Sequence, residues 1–287
     1  MTRFKTILLA STTIAAAFSL SAVSHAHAPT NLVPNTIQEE TPLPTAKEVI
    51  DAFIKAVGGE KAIKAQKSRM LSGTMSIPAM AMEGPMVIYQ ARPNLMMLEI
   101  NLPGMGKSMQ GFNGKVGWSV DPMRGPSLMT GDMLSEFKRD ADFDSELNLF
   151  KIFDEVKVVG REDFNGTPCI KMFLKKGDME QHRFFDEKTN LLLGSKAKVP
   201  TQMGKVDAVT TTSDYKDFDG LKIATKTSIE LMGMKQVMTV DKVVIDKVEP
   251  GVFKLPPAIK ALADAEEKKA EDKKDEADKS TDTSSGS

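Results

Sequence analysis

From Ser68 onward the apolar residues of this chain recur at every second position, in short runs broken by turn dipeptides. That pattern admits little besides an antiparallel sheet. Asn113-Gly114, Asn165-Gly166, Thr189-Asn190, Asp219-Gly220 and Gly233 punctuate the runs. An Asn-Gly or Asp-Gly pair tolerates the positive φ angles of a two-residue hairpin turn, so each such pair predicts two adjacent, antiparallel strands. Residues 156–163 and 167–175 form the clearest predicted hairpin, and 204–215 with 221–230 form a second. About eleven strands are expected, joined as a meander rather than through parallel βαβ units.

Helices flank and interrupt this meander. Thr45 is a good N-cap and Glu48 completes a capping box, with Val49, Ile50, Phe53, Ile54 and Val57 on one face. Gly58-Gly59 stops that helix, and Glu60 to Ala65 predicts a second, short one. Two further stretches, Ser127 to Arg139 and Phe143 to Phe153, read as a helical insertion able to close one open end of a curled sheet. From Ala261 the composition collapses to Ala, Glu, Asp, Lys and Ser, and residues 261–287 are expected to be a disordered charged tail, helical at most at its start.

The first residues predict export. Arg3 and Lys5 precede an apolar run from Ile7 to Val23, and Ser24-His25-Ala26 supplies small residues at the −3 and −1 positions of a cleavage site. Residues 1–26 are thus expected as a signal peptide cleaved near Ala26, residues 27–44 as a Pro-rich linker, and 45–260 as one folded domain in the periplasm. The one cysteine, Cys169, excludes an intramolecular disulfide and lies in an apolar strand pattern, where it reads as a small buried hydrophobe. A net charge of −1 gives no reason to expect nucleic acid.

Catalytic and metal chemistry finds little support. His182 is the only histidine of the body beyond the linker, and no G-x-S-x-G, H-E-x-x-H or P-loop motif occurs. The run Asp140-Ala141-Asp142-Phe143-Asp144-Ser145-Glu146 opens like a calcium loop but lacks its Gly and its closing Glu, and reads better as a helix start with Asp144 as N-cap. Methionine is abundant, at 19 residues. The triplets Met80, Met82, Met86 and Met232, Met234, Met238 offer thioethers to a soft ion such as Cu(I), but no His or Cys accompanies them. Met also suits apolar surfaces that accept varied shapes. No enzyme, cofactor or metal site is expected.

Four motifs in order resemble those of one family. Arg92-Pro93-Asn94-Leu95 links two strands, Asn113-Gly114-Lys115-Val116-Gly117-Trp118 and Asp121-Pro122 follow, and Phe253-Lys254-Leu255-Pro256-Pro257 closes the domain. This is similar to the LolA-like periplasmic lipoprotein carriers. The resemblance implies an α+β, mainly antiparallel fold: an incomplete half-barrel with a helical lid over its concave face. It implies shelter for the acyl chain of a lipid or lipoprotein, passed between release and acceptor proteins of the inner and outer membranes, by a monomer. It also implies that Arg92 points into the cavity and anchors the lid through helix backbone. Strand alternation places Met86, Ile88 and Arg92 together, and Met96, Leu98, Ile100 and Leu102 together. With Trp118 of the next strand, these are the predicted groove residues. The same alternation fits a filled core, and a groove of this kind equally suits a protein partner, as in an interaction or envelope-stress module.

Overall fold

The computed structural model describes residues 42–201 and 204–282. The predicted signal peptide and most of the predicted linker lie outside them. Helices α1 (Ala46–Ala56) and α2 (Glu60–Ala65) precede strands β1 (Ser68–Ile77), β2 (Met82–Ala91), β3 (Leu95–Leu102), β4 (Gly106–Asn113), β5 (Gly117–Asp121) and β6 (Gly125–Leu128). Helices α3 (Gly131–Asp140) and α4 (Leu149–Ile152) form the insertion. Strands β7 (Glu155–Phe164), β8 (Thr167–Lys176), β9 (Met179–Asp186), β10 (Leu192–Thr201), β11 (Gly204–Phe218), β12 (Leu221–Leu231) and β13 (Met234–Ile245) follow, and α5 (Pro257–Asp282) ends the described residues.

Thirteen strands, not eleven, form one antiparallel sheet in the order β6-β5-β4-β3-β2-β1-β13-β12-β11-β10-β9-β8-β7. Part of the excess lies in the short β5–β6 hairpin. Residues Gly125 to Leu128 pair with β5, so the stretch read as helix from Ser127 begins as a strand. Among the described residues, β1–β13 is the only pairing of strands distant in sequence; the other pairings form a hairpin meander. Turn chemistry sets its register. Asn165 and Gly166 take φ of 53° and 84°, and Asp219 and Gly220 take 54° and 84°, the left-handed pair a tight hairpin needs.

The sheet curls. Arg69 on β1 lies over the ring of Phe143, and Arg183 on β9 pairs with Glu146, only three residues further along the insertion. Five strand-to-strand steps separate β1 from β9. In a flat sheet that would be about 24 Å, yet Arg69 and Gln90 line the same cavity as Arg183, Ser195 and Ala197. The two halves of the sheet therefore bend toward a common insertion, and the edges β6 and β7 stay unpaired with each other among the described residues.

The capping box forms as predicted: Thr45 Oγ1 accepts from Glu48 N, and Thr45 N donates to the Glu48 carboxylate. It positions the apolar face of α1 on the β8–β9 half of the concave surface. There Val49, Ile50, Phe53 and Val57 bury against Ile170, Met172, Leu174 and Phe185. Cys169 is fully buried beside Phe164 and Phe184, the small hydrophobe that the strand pattern predicts.

Two predictions are corrected by the other end of the chain. Trp118 does not line the groove. It occupies a cross-strand row with Gly111 and Met97, and packs on the convex face against Phe253 and Ile259. Gly111 is required there because a Cβ would stand 2.6 Å from the indole ring. Residues 261–282 of the expected tail are helical instead, as part of α5, which is anchored by the fully buried Ile259 and by Lys115 pairing with Glu267. Its Ala, Glu and Lys are strong helix formers, and pairs such as Lys260–Asp264, at 2.6 Å, reinforce the helix.

Trp118 is the only tryptophan and is 1% exposed, so it reports on this cover directly. Ile259→Ala is expected to lower stability by about 2–5 kcal/mol, read by urea unfolding, and to red-shift native tryptophan emission. Unchanged emission with unchanged stability contradicts this packing.

Candidate functional site

The site is built around Arg92, the first residue of the β2–β3 link. Its backbone N–H donates to Lys67 O at 3.0 Å, fixing the link beside the start of β1. Its side chain then reaches the C-terminal end of α2. Nε donates to Gln66 O at 2.5 Å and Nη2 to Ile63 O at 2.9 Å. Both carbonyls lie at the C-terminal end of α2, where the negative pole of the helix favours a cation, and Ile63 O also accepts from Gln66 N at 3.3 Å. Nη1 pairs with the Asp144 carboxylate, and the guanidinium lies 4.8 Å from the Phe143 ring centroid. Phe143 N donates to Pro93 O at 3.0 Å. One side chain thus ties together β2, α2 and the insertion.

A second arginine, Arg69, also lies 4.8 Å from the Phe143 ring centroid, with Nε donating to Gln90 Oε1 at 2.7 Å. Burial, and then the charge of Arg92, bring the Arg69 guanidinium down to about 10, which leaves it charged at neutral pH. Across the sheet, Arg183 holds Glu146 with both carboxylate oxygens, at 2.9 and 3.1 Å. The acidic run that resembles a calcium loop therefore serves as the clasp of the insertion. Asp144 is no N-cap: α4 begins only at Leu149, and residues 143–148 form turns held by Arg92 and Arg183.

Two chambers lie under this cover. The smaller, of about 210 Å³, is walled by Phe53, Val57 and Ile63 of the N-terminal helices, by Phe143 and Leu147, and by Tyr215 and Ile223. Gln66 Nε2 and Asp144 Oδ1, both on residues that line this chamber, are buried without a hydrogen-bond partner. Unsatisfied buried polar atoms are costly, so these two mark where a ligand's polar group or water gains most. The larger chamber, of about 490 Å³, runs between the insertion and the concave sheet, past Arg69, Gln90, Arg183, Ala197, Ile229 and Leu231. Its size falls in the range of small-molecule sites.

The predicted groove residues fall on this concave face, apart from Trp118. Met86 pairs with Ile100, Ile88 with Leu98 and Gln90 with Met96, so all share the face of Arg69 and Gln90, with Leu102 following in phase. Met86 is buried against Met75 and Val240, Leu102 is also buried, and Ile88, Leu98 and Ile100 are half-buried around that cluster. They make an apolar wall continuous with the chambers rather than the walls of the chambers themselves. The chamber residues of β9 to β12 escape sequence reasoning because Arg183, Ser195, Ala197 and Thr210 give no apolar alternation. Only the paired Arg69 and Gln90, in phase with Ile88, could have signalled them.

The other candidates take plain places. His182 is half-buried on β9, 5.4 Å from the Phe173 ring and in the register opposite to Arg183, and burial lowers its pKa. Each methionine triplet reaches from an exposed turn onto the sheet face, and the strand residues alone, Met82 to Met86 or Met234 to Met238, span about 13 Å.

No protein-family model matches this chain, and no curated protein matches it in sequence. Solved structures do. A DUF1329 family protein from Desulfovibrio piger aligns over 73% of this chain and 97% of its own, at 13% identity and a TM-score of 0.51. A LolA superfamily protein from Nitrosomonas europaea aligns over 74% and 98%, at 11% identity and a TM-score of 0.49. A putative outer membrane lipoprotein-sorting protein domain from Vibrio parahaemolyticus aligns over 73% and 97%, at 10% identity and a TM-score of 0.49. At such identities the likeness is one of fold. The open antiparallel sheet with helices on its concave face is the architecture expected from the sequence.

Cys169 is the one thiol near this half of the barrel, and burial, followed by the charge of Asp186, pushes its pKa up to about 11. It is expected to resist a thiol-reactive dye in the native protein and to react fully on unfolding. Labelling of the native chain at the rate of a free thiol contradicts its burial.

Proposed function

We propose that this protein is an exported, non-enzymatic carrier that shelters the acyl chain of a lipid or lipoprotein between its concave sheet and a lid latched by Arg92. The observation that carries this reading is the latch itself. A single arginine joins sheet, helix α2 and insertion at the edge of two chambers, beside a continuous wall of aliphatic and thioether side chains. The predicted signal peptide at residues 1–26 places the work in the periplasm.

Reversible shelter follows from opposing energies. Each buried methylene contributes about 0.8 kcal/mol, so a long acyl chain in an always-open groove would be held too tightly to deliver. Hydrogen bonds from a charged donor are worth about 1.5–3 kcal/mol each. Filling the space under the lid displaces α2 and the insertion from Arg92, and that loss is charged against binding. The empty, latched state then favours release to an acceptor. Gln66 Nε2 and Asp144 Oδ1 would receive the polar end of the cargo.

Arg92→Leu removes the latch while keeping an apolar contact with Phe143. It is expected to bind a fluorescent fatty acid at least tenfold more tightly, one decade per 1.4 kcal/mol, and to release it more slowly to acceptor vesicles. Affinity and release rate both equal to those of the parent protein would overturn the latch. Failure of the parent protein to take up any fatty acid would overturn the carrier reading and leave the concave face as a site for a protein segment.

A further inference from the structure

Among the described hairpin connections, methionine falls at one end of the sheet only. The hairpin connections there carry Met80 in residues 78–81, Met105 between β3 and β4, Met123 between β5 and β6, and Met232 between β12 and β13, with Met234 beginning the next strand. Met179 follows the β8–β9 turn at the same end. The hairpin connections at the opposite end are Arg92-Pro93-Asn94, residues 114–116, Asn165-Gly166, residues 187–191 and Asp219-Gly220, and none contains methionine. The rim methionines are also exposed: Met80 47%, Met105 39%, Met123 83%, Met232 59% and Met234 44%.

Nothing in the fold asks for them. A tight turn wants Gly, Asn, Asp or Pro, and an exposed thioether chain adds no packing. Met232 takes a φ of 52°, a left-handed conformation that disfavours a residue of its kind and ordinarily goes to Asn or Gly. Where a local rule is broken without structural gain, function is the usual reason.

The chemistry of the rim selects its partner. Its cations stand among carboxylates: Arg124 pairs with Asp121 at 3.4 Å, Lys107 with Glu99 at 3.0 Å and Lys176 with Asp154 at 2.7 Å, Lys205 donates to Asp178 O, and Lys235 lies in register with Glu230. The rim therefore offers no net positive field to anionic headgroups. Its apolar groups are unbranched, flexible and carried on separate hairpins, so they present no fixed shape to a folded partner. A fluid apolar phase accepts such tips in any arrangement.

We propose that the methionine-tipped end of the sheet is a peripheral membrane-docking rim, which inserts its thioether side chains into the interfacial zone of a lipid bilayer. Docking stands on the rim alone; that cargo enters at this end rests on the carrier reading. The rim is continuous with the cavity, since Leu231 lines the larger chamber and the next residue is the exposed Met232, while Met179 lines the same chamber. An acyl chain leaving the bilayer at the rim thus meets the chamber wall within one residue.

The test is flotation of the mature chain with phosphatidylcholine vesicles at low and high salt. The parent protein is expected to bind in both. The quadruple variant Met105→Ser, Met123→Ser, Met232→Ser, Met234→Ser is expected to lose at least tenfold in partitioning, with an unchanged melting temperature because none of the four is buried. Val159→Ser, which removes an exposed side chain of similar character from mid-strand β7, is expected to bind as the parent does. Absence of parent binding, equal binding by the quadruple variant, or binding confined to anionic vesicles and abolished by salt would each overturn the rim. Uptake of a fluorescent fatty acid from solution is measured beside it. Loss of that uptake in the parent with vesicle docking intact overturns the carrier reading and leaves the rim standing.

Discussion

The guanidinium of Arg92 is the interaction on which the rest of this structure depends. A meander of hairpins fixes each strand to its sequence neighbour, but it does not decide how far the sheet curls or what lies across it. Arg92 does so by donating to helix-end carbonyls on one side and a carboxylate of the insertion on the other. Arg69 and Arg183 repeat the device, so that three arginines of the sheet hold one short acidic segment. The cover is thus fastened by an apolar seam where α1 and Leu149 and Phe153 of the insertion meet β8 and β9, and by a few directional, charge-assisted bonds at the β1–β2 side. Such bonds are strong when made and can be exchanged for others, whereas a packed seam resists opening.

The two faces of the sheet are put to different uses. On the convex side, Trp118, Met97, Phe253 and Ile259 form a closed core under the C-terminal segment, with Gly111 giving up its side chain for the indole. On the concave side, α1 seals the β8–β9 half, while the β1–β3 and β13 half keeps an aliphatic and thioether wall that is only half covered. The asymmetry frees the concave face from carrying the whole stability of the domain.

Much of this was legible in the sequence because local chemistry was unambiguous. Thr45 and Glu48 announce α1, and the Asn-Gly and Asp-Gly pairs announce the hairpins, since few residues tolerate those backbone angles. The parity of Met86, Ile88 and Arg92 was likewise fixed by strand geometry. What the sequence hid depended on partners far along the chain. The face of Trp118 is decided by a cover arriving more than a hundred residues later. The four-residue strand β6 was absorbed into a predicted helix because Pro126, Ser127 and Leu128 carry no period. The tail looked disordered by composition, yet two buried anchors, Phe253 and Ile259, dock the segment that starts α5. The chamber walls on β9 to β12 stayed invisible because small and polar residues announce no cavity.

The account reads this molecule as a vessel for an acyl chain, and that can be weighed directly. The mature protein is purified from the periplasm without detergent and analysed by native, then denaturing, mass spectrometry. The account predicts a defined acyl-bearing mass that accompanies the native protein and is lost on denaturation. A native protein of the bare chain mass that also takes up no added fatty acid would contradict it.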